Sequence, residues 1–254
     1  MSDLAVQDVG SPGAPTVLLL PGQANSHDWW SGLRERLVGW RTVTFDYRGT
    51  GGSVGAEGDE RGWSTSSFAA DAVAVLDRLG LDRVHVWGTS MGGRVAQMLA
   101  IEHPDRVDRL VLTCSSPGGA QAVERSQDVR RSLAQRDDDA RREVLVDLFY
   151  TPAWRASGRR THLLGFPGMS TAATRAHLRV SDGHDAWDRL PSVAAPTLVL
   201  HGTDDLMVPA ANADLLASRI PDTRVELTPG GRHGFFDEDA DVVVPRVAAF
   251  LAGE

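Results

Sequence analysis

Residues 84–93 read Val84-His85-Val86-Trp87-Gly88-Thr89-Ser90-Met91-Gly92-Gly93. The apolar run Val84–Gly88 has the composition of a buried strand, and Arg94–His103 after it has helical spacing up to Pro104. Between them lies G-x-S-x-G, a pattern in which a serine sits at the tip of a sharp strand-to-helix turn and the glycines let neighbouring elements pass close. Chance alone would put roughly 0.2 such pentapeptides in a chain of this composition, so the position between strand and helix is what gives the pattern weight.

Working outward, similar short apolar runs occur at Leu4–Val9, Thr16–Leu20, Thr42–Asp46, Arg109–Cys114, Thr197–His201 and Arg224–Thr228. Their hydrophobicity is mostly continuous rather than alternating, as expected of strands buried on both faces of a parallel sheet. Helical patterns lie between them, including Phe68, Ala72, Val75, Leu76 and Leu79, then Val95, Met98 and Leu99, and near the end Val243, Val247, Phe250 and Leu251. The alternation predicts an α/β fold with a mostly parallel, doubly wound sheet.

The alternation breaks between Gly118 and Leu190, where Val129, Leu133, Val144, Leu145, Leu148 and Phe149 predict short helices and no strand stands out. That stretch carries 12 arginines against 10 acids, and the rest of the chain 14 against 24. The division expected is a core of residues 1–117 and 191–254 with a helical lid, residues 118–190, over the strand ends, where open α/β sheets bind ligands.

A serine hydroxyl is a poor nucleophile at neutral pH; it needs a base, and the base needs an orienting partner. After an elbow of this kind the acid comes next in the chain and the histidine last. Asp204 and Asp205 follow the run Thr197–His201, and His233 stands in Pro229-Gly230-Gly231-Arg232-His233-Gly234 after Arg224–Thr228. The chain between them accommodates the insertion and then one helix, so all three groups can meet at one sheet edge.

Taken with Leu20-Pro21-Gly22-Gln23 and Asp46-Tyr47-Arg48-Gly49-Thr50-Gly51-Gly52-Ser53, these motifs make nearly the whole chain resemble the α/β-hydrolase superfamily. The resemblance implies Ser90 as nucleophile, His233 as general base and Asp205 as the orienting acid, since the family's acid stands three residues before the Val of its Val-Pro, here Val208-Pro209; Asp204 is the alternative. It also implies an oxyanion hole built from the backbone N–H groups of Met91 and Gln23. Most relatives have His-Gly where this chain has Pro21-Gly22, a departure that leaves the Gln23 donor in place. The run Val111–Gly119 is similar to bacterial esterases and enol-lactonases, so the function expected is that of a serine esterase or lactonase cleaving a small carboxylic ester through an acyl-enzyme. The same residues would also serve a lyase, a C–C hydrolase, an acyltransferase or a cofactor-free perhydrolase, and a non-catalytic ligand-binding protein is a further alternative.

Composition narrows the field. All 26 basic side chains are arginine, which removes the Schiff-base amine, the P-loop lysine and the kinase lysine. One cysteine, Cys114, excludes an internal disulfide or a multi-cysteine metal site, and it reads as a small core residue. A net charge of −8 argues against nucleic acid as a partner, and no apolar run reaches membrane-spanning length. The start MSDLAVQDVG lacks the cationic and apolar regions of a leader, so a soluble cytoplasmic enzyme is expected, with a small-molecule substrate and neither cofactor nor metal.

Gly49-Thr50-Gly51-Gly52 fails the dinucleotide pattern because Val54 stands where the third glycine should be; it reads as a tight loop, with Asp46 holding it. Trp29, Tyr150, Trp154, Phe166 and Trp187 are candidates for the substrate pocket. His177 and His184, without a H-E-x-x-H pattern, are expected at the surface.

Overall fold

The computed structural model describes residues 4–55, 59–135 and 137–254. These form one sheet of strands β1 (Val6–Val9), β2 (Thr16–Leu20), β3 (Arg41–Phe45), β4 (Val84–Thr89), β5 (Val107–Thr113), β6 (Thr197–Gly202) and β7 (Thr223–Thr228), in the order β1-β3-β2-β4-β5-β6-β7. All neighbours pair in parallel except the short edge strand β1, antiparallel to β3.

The continuous apolar runs are explained by two cores, one on each face. Leu18 and Leu20 of β2 point to the face covered by helices α1 (Thr65–Arg78) and α2 (Met91–Glu102), joining Val86, Leu110, Leu112, Phe68, Leu76, Val95 and Leu99. Val17 and Leu19 point the other way, joining Trp30, Trp87, Val111 and Leu198 beneath Val243, Val244 and Val247. A two-residue alternation inside an all-apolar strand is what burial on both faces demands.

The winding reverses at β2: the chain steps outward to β3, then returns across the sheet to β4. The crevice beyond the carboxyl ends of β2 and β4 is therefore the topological switch point, the place where such sheets bind ligands. Gln23 follows β2 there and Ser90 follows β4.

Between β5 and β6 the chain forms α3 (Gln127–Leu133), α4 (Asp138–Phe149), α5 (Pro152–Ala156) and α6 (Thr171–Asp182), with an isolated antiparallel bridge between Gly118 and Asp185. After β6 come α7 (Ala211–Arg219), then β7, α8 (Phe235–Glu238) and α9 (Ala240–Ala252). No helix among the described residues is long and apolar enough to cross a membrane.

Three local expectations meet the structure directly. Asp46 is fully buried and clamps two loops: its carboxylate accepts from the N–H groups of His27 (2.6 Å) and Gly52 (2.7 Å). Gly51 has φ +49 and a Cβ there would overlap that carboxylate, which accounts for the glycines without a dinucleotide.

His177 and His184 are not surface residues; both are buried. His177 Nδ1 accepts from Ala24 N–H (3.3 Å) and Nε2–H donates to Arg48 O (2.9 Å); His184 pairs with Thr65 Oγ1 (3.0 Å) and Gln97 Oε1 (3.3 Å). Buried imidazoles persist when both nitrogens have partners, and these partners are remote in sequence. Finally, α2 begins at Met91 rather than Arg94, so the helix starts directly after the serine.

Candidate active site

Ser90 has φ 54 and ψ −120, a conformation that L-residues rarely adopt. It is held there by its own N–H donating to Thr113 O (2.9 Å) and by Ser115 Oγ donating to Ser90 O (3.0 Å). The flanking glycines are required by contact: a Cβ on Gly88 would overlap Gly92 O, and one on Gly93 would strike the Ser115 side chain. A Cβ on Gly92 would overlap the carbonyls of Leu20 and Pro21, so this glycine lets the end of β2 lie against the elbow.

That close approach carries Pro21-Gly22-Gln23 beside the start of α2. Met91, as the first residue of α2, is among the helix N–H groups with no intrahelical acceptor, at the positive end of the helix dipole. The Gln23 loop is fixed from several sides. Asn25 Nδ2 donates to Gln23 O (2.9 Å), Ala24 holds φ 58, and Phe166 N–H donates to Ala24 O (2.6 Å).

His233 Nε2 stands 3.1 Å from Ser90 Oγ, and its Nδ1 stands 2.7 Å from Asp205 Oδ2. The Asp205 carboxylate is fully buried; its other oxygen accepts from the N–H groups of Met207 (2.8 Å) and Val208 (2.9 Å). Burial by itself would push this carboxyl up, but His233 and His201 outweigh it and hold the group below the usual carboxylate range. An ionised Asp205 accepts from Nδ1–H, which leaves the Nε2 lone pair facing the Ser90 hydroxyl. Asp204, by contrast, is exposed and bonds the neighbouring Thr203 hydroxyl.

His201, four residues before Asp205, is a member of this network that sequence reasoning did not single out. Its buried Nε2–H donates to Val208 O (2.8 Å) and lies 3.4 Å from Asp205 Oδ2. It thus buttresses both the acid and the turn that feeds N–H groups to it. The signal in the sequence was its place at the end of a strand-like run, directly before a loop already suspected. Cys114 also touches the site: its Sγ–H donates to His233 O (3.1 Å). Cys114, Asp205 and His233 offer ligand atoms within 4.8 Å of one another. Burial and the Asp205 charge push the thiol up, so it stays neutral, and His233 Nδ1 is engaged by Asp205, so the cluster is not arranged for a metal.

The inserted helices support the histidine loop. His233 N–H donates to Leu148 O (3.3 Å), Gly234 N–H donates to Phe149 O (2.8 Å), and the Phe149 ring stands edge-on to His233 at 4.9 Å. Of the aromatic candidates, Trp29 is buried against Gly22, stacks on Phe236 (5.7 Å) and meets Phe149 at 6.2 Å, one ring away from His233. Phe166 reaches the Gln23 loop through its backbone. Tyr150 and Trp154 stack on each other at 3.7 Å, with the Tyr150 hydroxyl bonded to Asp237 (2.9 Å) and Thr161 (2.7 Å), so they brace α8. Trp187 lies under the Arg219 guanidinium at the end of α7.

A seven-stranded sheet wound in this order, with a strained serine, a histidine and a buried carboxylate hydrogen-bonded across its strand ends, defines a class of enzyme. The model of the alpha/beta hydrolase fold family matches residues 15–240, and the chain belongs to that family and is a hydrolase. It is 31% identical over 248 residues to a protein of Caulobacter sp. (strain K31) provisionally named carbamate hydrolase RutD, covering 94% of this chain and 91% of that protein. Among solved structures it is similar to an esterase from Exiguobacterium antarcticum (TM-score 0.81, 23% identity, 98% of this chain and 95% of that one). A similar match is the enol-lactonase from Burkholderia xenovorans LB400 (TM-score 0.80, 23% identity, 98% and 96%).

Proposed function

We propose that the protein is a serine hydrolase that cleaves a small carboxylic ester or lactone through an acyl-enzyme. The observation that carries this reading is the chain of hydrogen bonds from Asp205 through His233 to a Ser90 held in strained geometry. Ser90 Oγ attacks the substrate carbonyl carbon as His233 Nε2 takes its proton, and the carbonyl π electrons move onto oxygen. The N–H groups of Gln23 and Met91 receive that oxyanion; removing one such donor from a hydrolase costs about 10²–10³ in rate. Collapse restores the carbonyl, breaks the bond to the leaving oxygen and delivers the His233 proton to it. Water, deprotonated by His233, then attacks the acyl-enzyme and releases the acid and free Ser90.

Residues 118–190 act as a lid in this reading, because their backbone bonds the His233 loop through Leu148 and Phe149 and the Gln23 loop through Phe166. A carbamate is a second reading, favoured by relatives at 31% identity over nearly the whole chain, since it presents the same carbonyl to the same nucleophile. Turnover of ethyl pentanoate, followed by acid release in H₂¹⁸O, tests the mechanism. One heavy oxygen in the acid, with turnover abolished by Ser90→Ala and His233→Ala, is expected; full turnover by either variant would falsify the acyl-enzyme.

A further inference from the structure

Two guanidinium groups close to the site have no anionic partner. Arg94 stands one helical turn after Ser90 on α2, and it donates to Ser181 O (2.5 Å) and Ser116 Oγ (3.0 Å), both uncharged acceptors. Arg125 lies just before α3; its half-buried guanidinium makes no hydrogen bond, ion pair or ring contact among the described residues. No carboxylate among the described residues lies within ion-pair distance of either group, although Asp182 and Glu124 act on both from further away. Burial lowers the pKa of each, and the Arg125 charge lowers that of Arg94 further. A cation taken out of water without a bonded anion is unfavourable.

Both groups belong to the neighbourhood of the reacting serine. Arg94 bonds Ser116, whose neighbour Ser115 holds the Ser90 carbonyl, and Arg125 lies in the segment that continues from Ser115 and Ser116 beyond the carboxyl end of β5. The segment that carries Arg125 is anchored in a way that fixes it over those ends. The fully buried Asn212 side chain bonds Val123 at both N–H (3.0 Å) and C=O (2.9 Å), and Gly119 N–H donates to His184 O (2.9 Å). A loop ordered by a buried amide, ending in a guanidinium with nothing to bind, is arranged for a ligand. The guanidinium fork matches a carboxylate in two parallel hydrogen bonds.

We infer that Arg125, backed by the Arg94 charge, receives an anionic group of the substrate, so that the preferred substrate is a small acyl compound carrying a carboxylate at the end remote from the scissile bond. This rests on the hydrolase reading above and names the substrate class for the same site. The inserted segment that bears Arg125 carries 12 arginines against 10 acids, whereas the remainder of the chain is acidic.

Monoethyl succinate against ethyl pentanoate, followed by pH-stat titration, measures the preference as a ratio of kcat/KM values. Arg125→Gln is expected to lower that ratio at least about tenfold, Arg125→Glu further, and Arg125→Lys to restore part of it. A ratio that does not move in Arg125→Gln overturns the proposal. The failure of the hydrolase reading shows differently, as no turnover of either ester by the wild type. In that event, titration of Ser90→Ala protein with succinate by calorimetry decides the subsite. Binding that Arg125→Gln abolishes supports it, and no binding, or binding untouched by Arg125→Gln, contradicts it.

Discussion

The strand ends of the sheet and the inserted helices between β5 and β6 meet at the same site, yet they are held by different kinds of force. The strand ends are placed by backbone: strain at Ser90, close approach at Gly88 and Gly92, and the N–H groups of Met207 and Val208 on Asp205. The insertion is tied down by polar side chains. His177 and His184 bond the body, Tyr150 bonds Asp237, and Thr151 bonds Glu238. The difference teaches that the nucleophile's geometry rests on backbone contacts, whereas the packing of the insertion against the body depends on the protonation of a few buried groups.

Perturbing each region should separate them. Ser90→Ala in the body is expected to lower kcat/KM by about 10⁴-fold or more with little change in melting temperature, measured by ester turnover and calorimetry. Gly92→Ala should harm both properties, because its Cβ overlaps the Leu20 and Pro21 carbonyls. Urea unfolding should show a loss of about 3 kcal/mol, with a fall in kcat/KM as the Gln23 loop is pushed away.

In the insertion, burial lowers the pKa of His177 to about 4, against the bond to Arg48 O, and that of His184 to about 3, with the Arg94 charge adding to the fall. A histidine whose folded pKa is depressed takes up its proton first in the unfolded chain. The stability it supports is therefore complete above the unfolded value near 6.5 and falls as the pH drops toward the folded value. Each histidine should contribute a slope approaching about 1.4 kcal/mol per pH unit in that window. Urea midpoints between pH 7 and 5 should fall accordingly, and His177→Gln should flatten the curve; an unchanged slope would sink this account of the tie. The smallest effect belongs to Tyr150→Phe, which removes one hydroxyl bonded to Asp237 and should lower stability by about 1 kcal/mol by the same measurement.

The body was legible because its constraints are local. An apolar run buried on both faces and a serine between glycines carry their reason in consecutive residues, and all seven runs became strands with shifts of a residue or two at their ends. Asp205 could be favoured over Asp204 only through the family pattern, and the structure gives the physical difference in burial and in the N–H groups each can reach. The histidines of the insertion are buried, against the expectation of surface residues, because they bond Ala24, Arg48, Thr65 and Gln97, partners that lie far away in the chain. A signal was nonetheless present for His177: with Ala173, Ala176 and Val180 it falls on the buried stripe of α6. His201 and Phe149 escaped for a related reason, since each acts on the site through a contact across the fold.

The central claim is that Ser90 is the nucleophile activated through His233 and Asp205. Brief exposure to a fluorophosphonate, followed by intact-mass analysis and peptide mapping, tests it most directly. The account predicts one phosphonyl group per chain on the Ser90 peptide, absent in Ser90→Ala and formed far more slowly in His233→Ala. Labelling that persists in Ser90→Ala, or a wild-type chain that takes up no label, would contradict it.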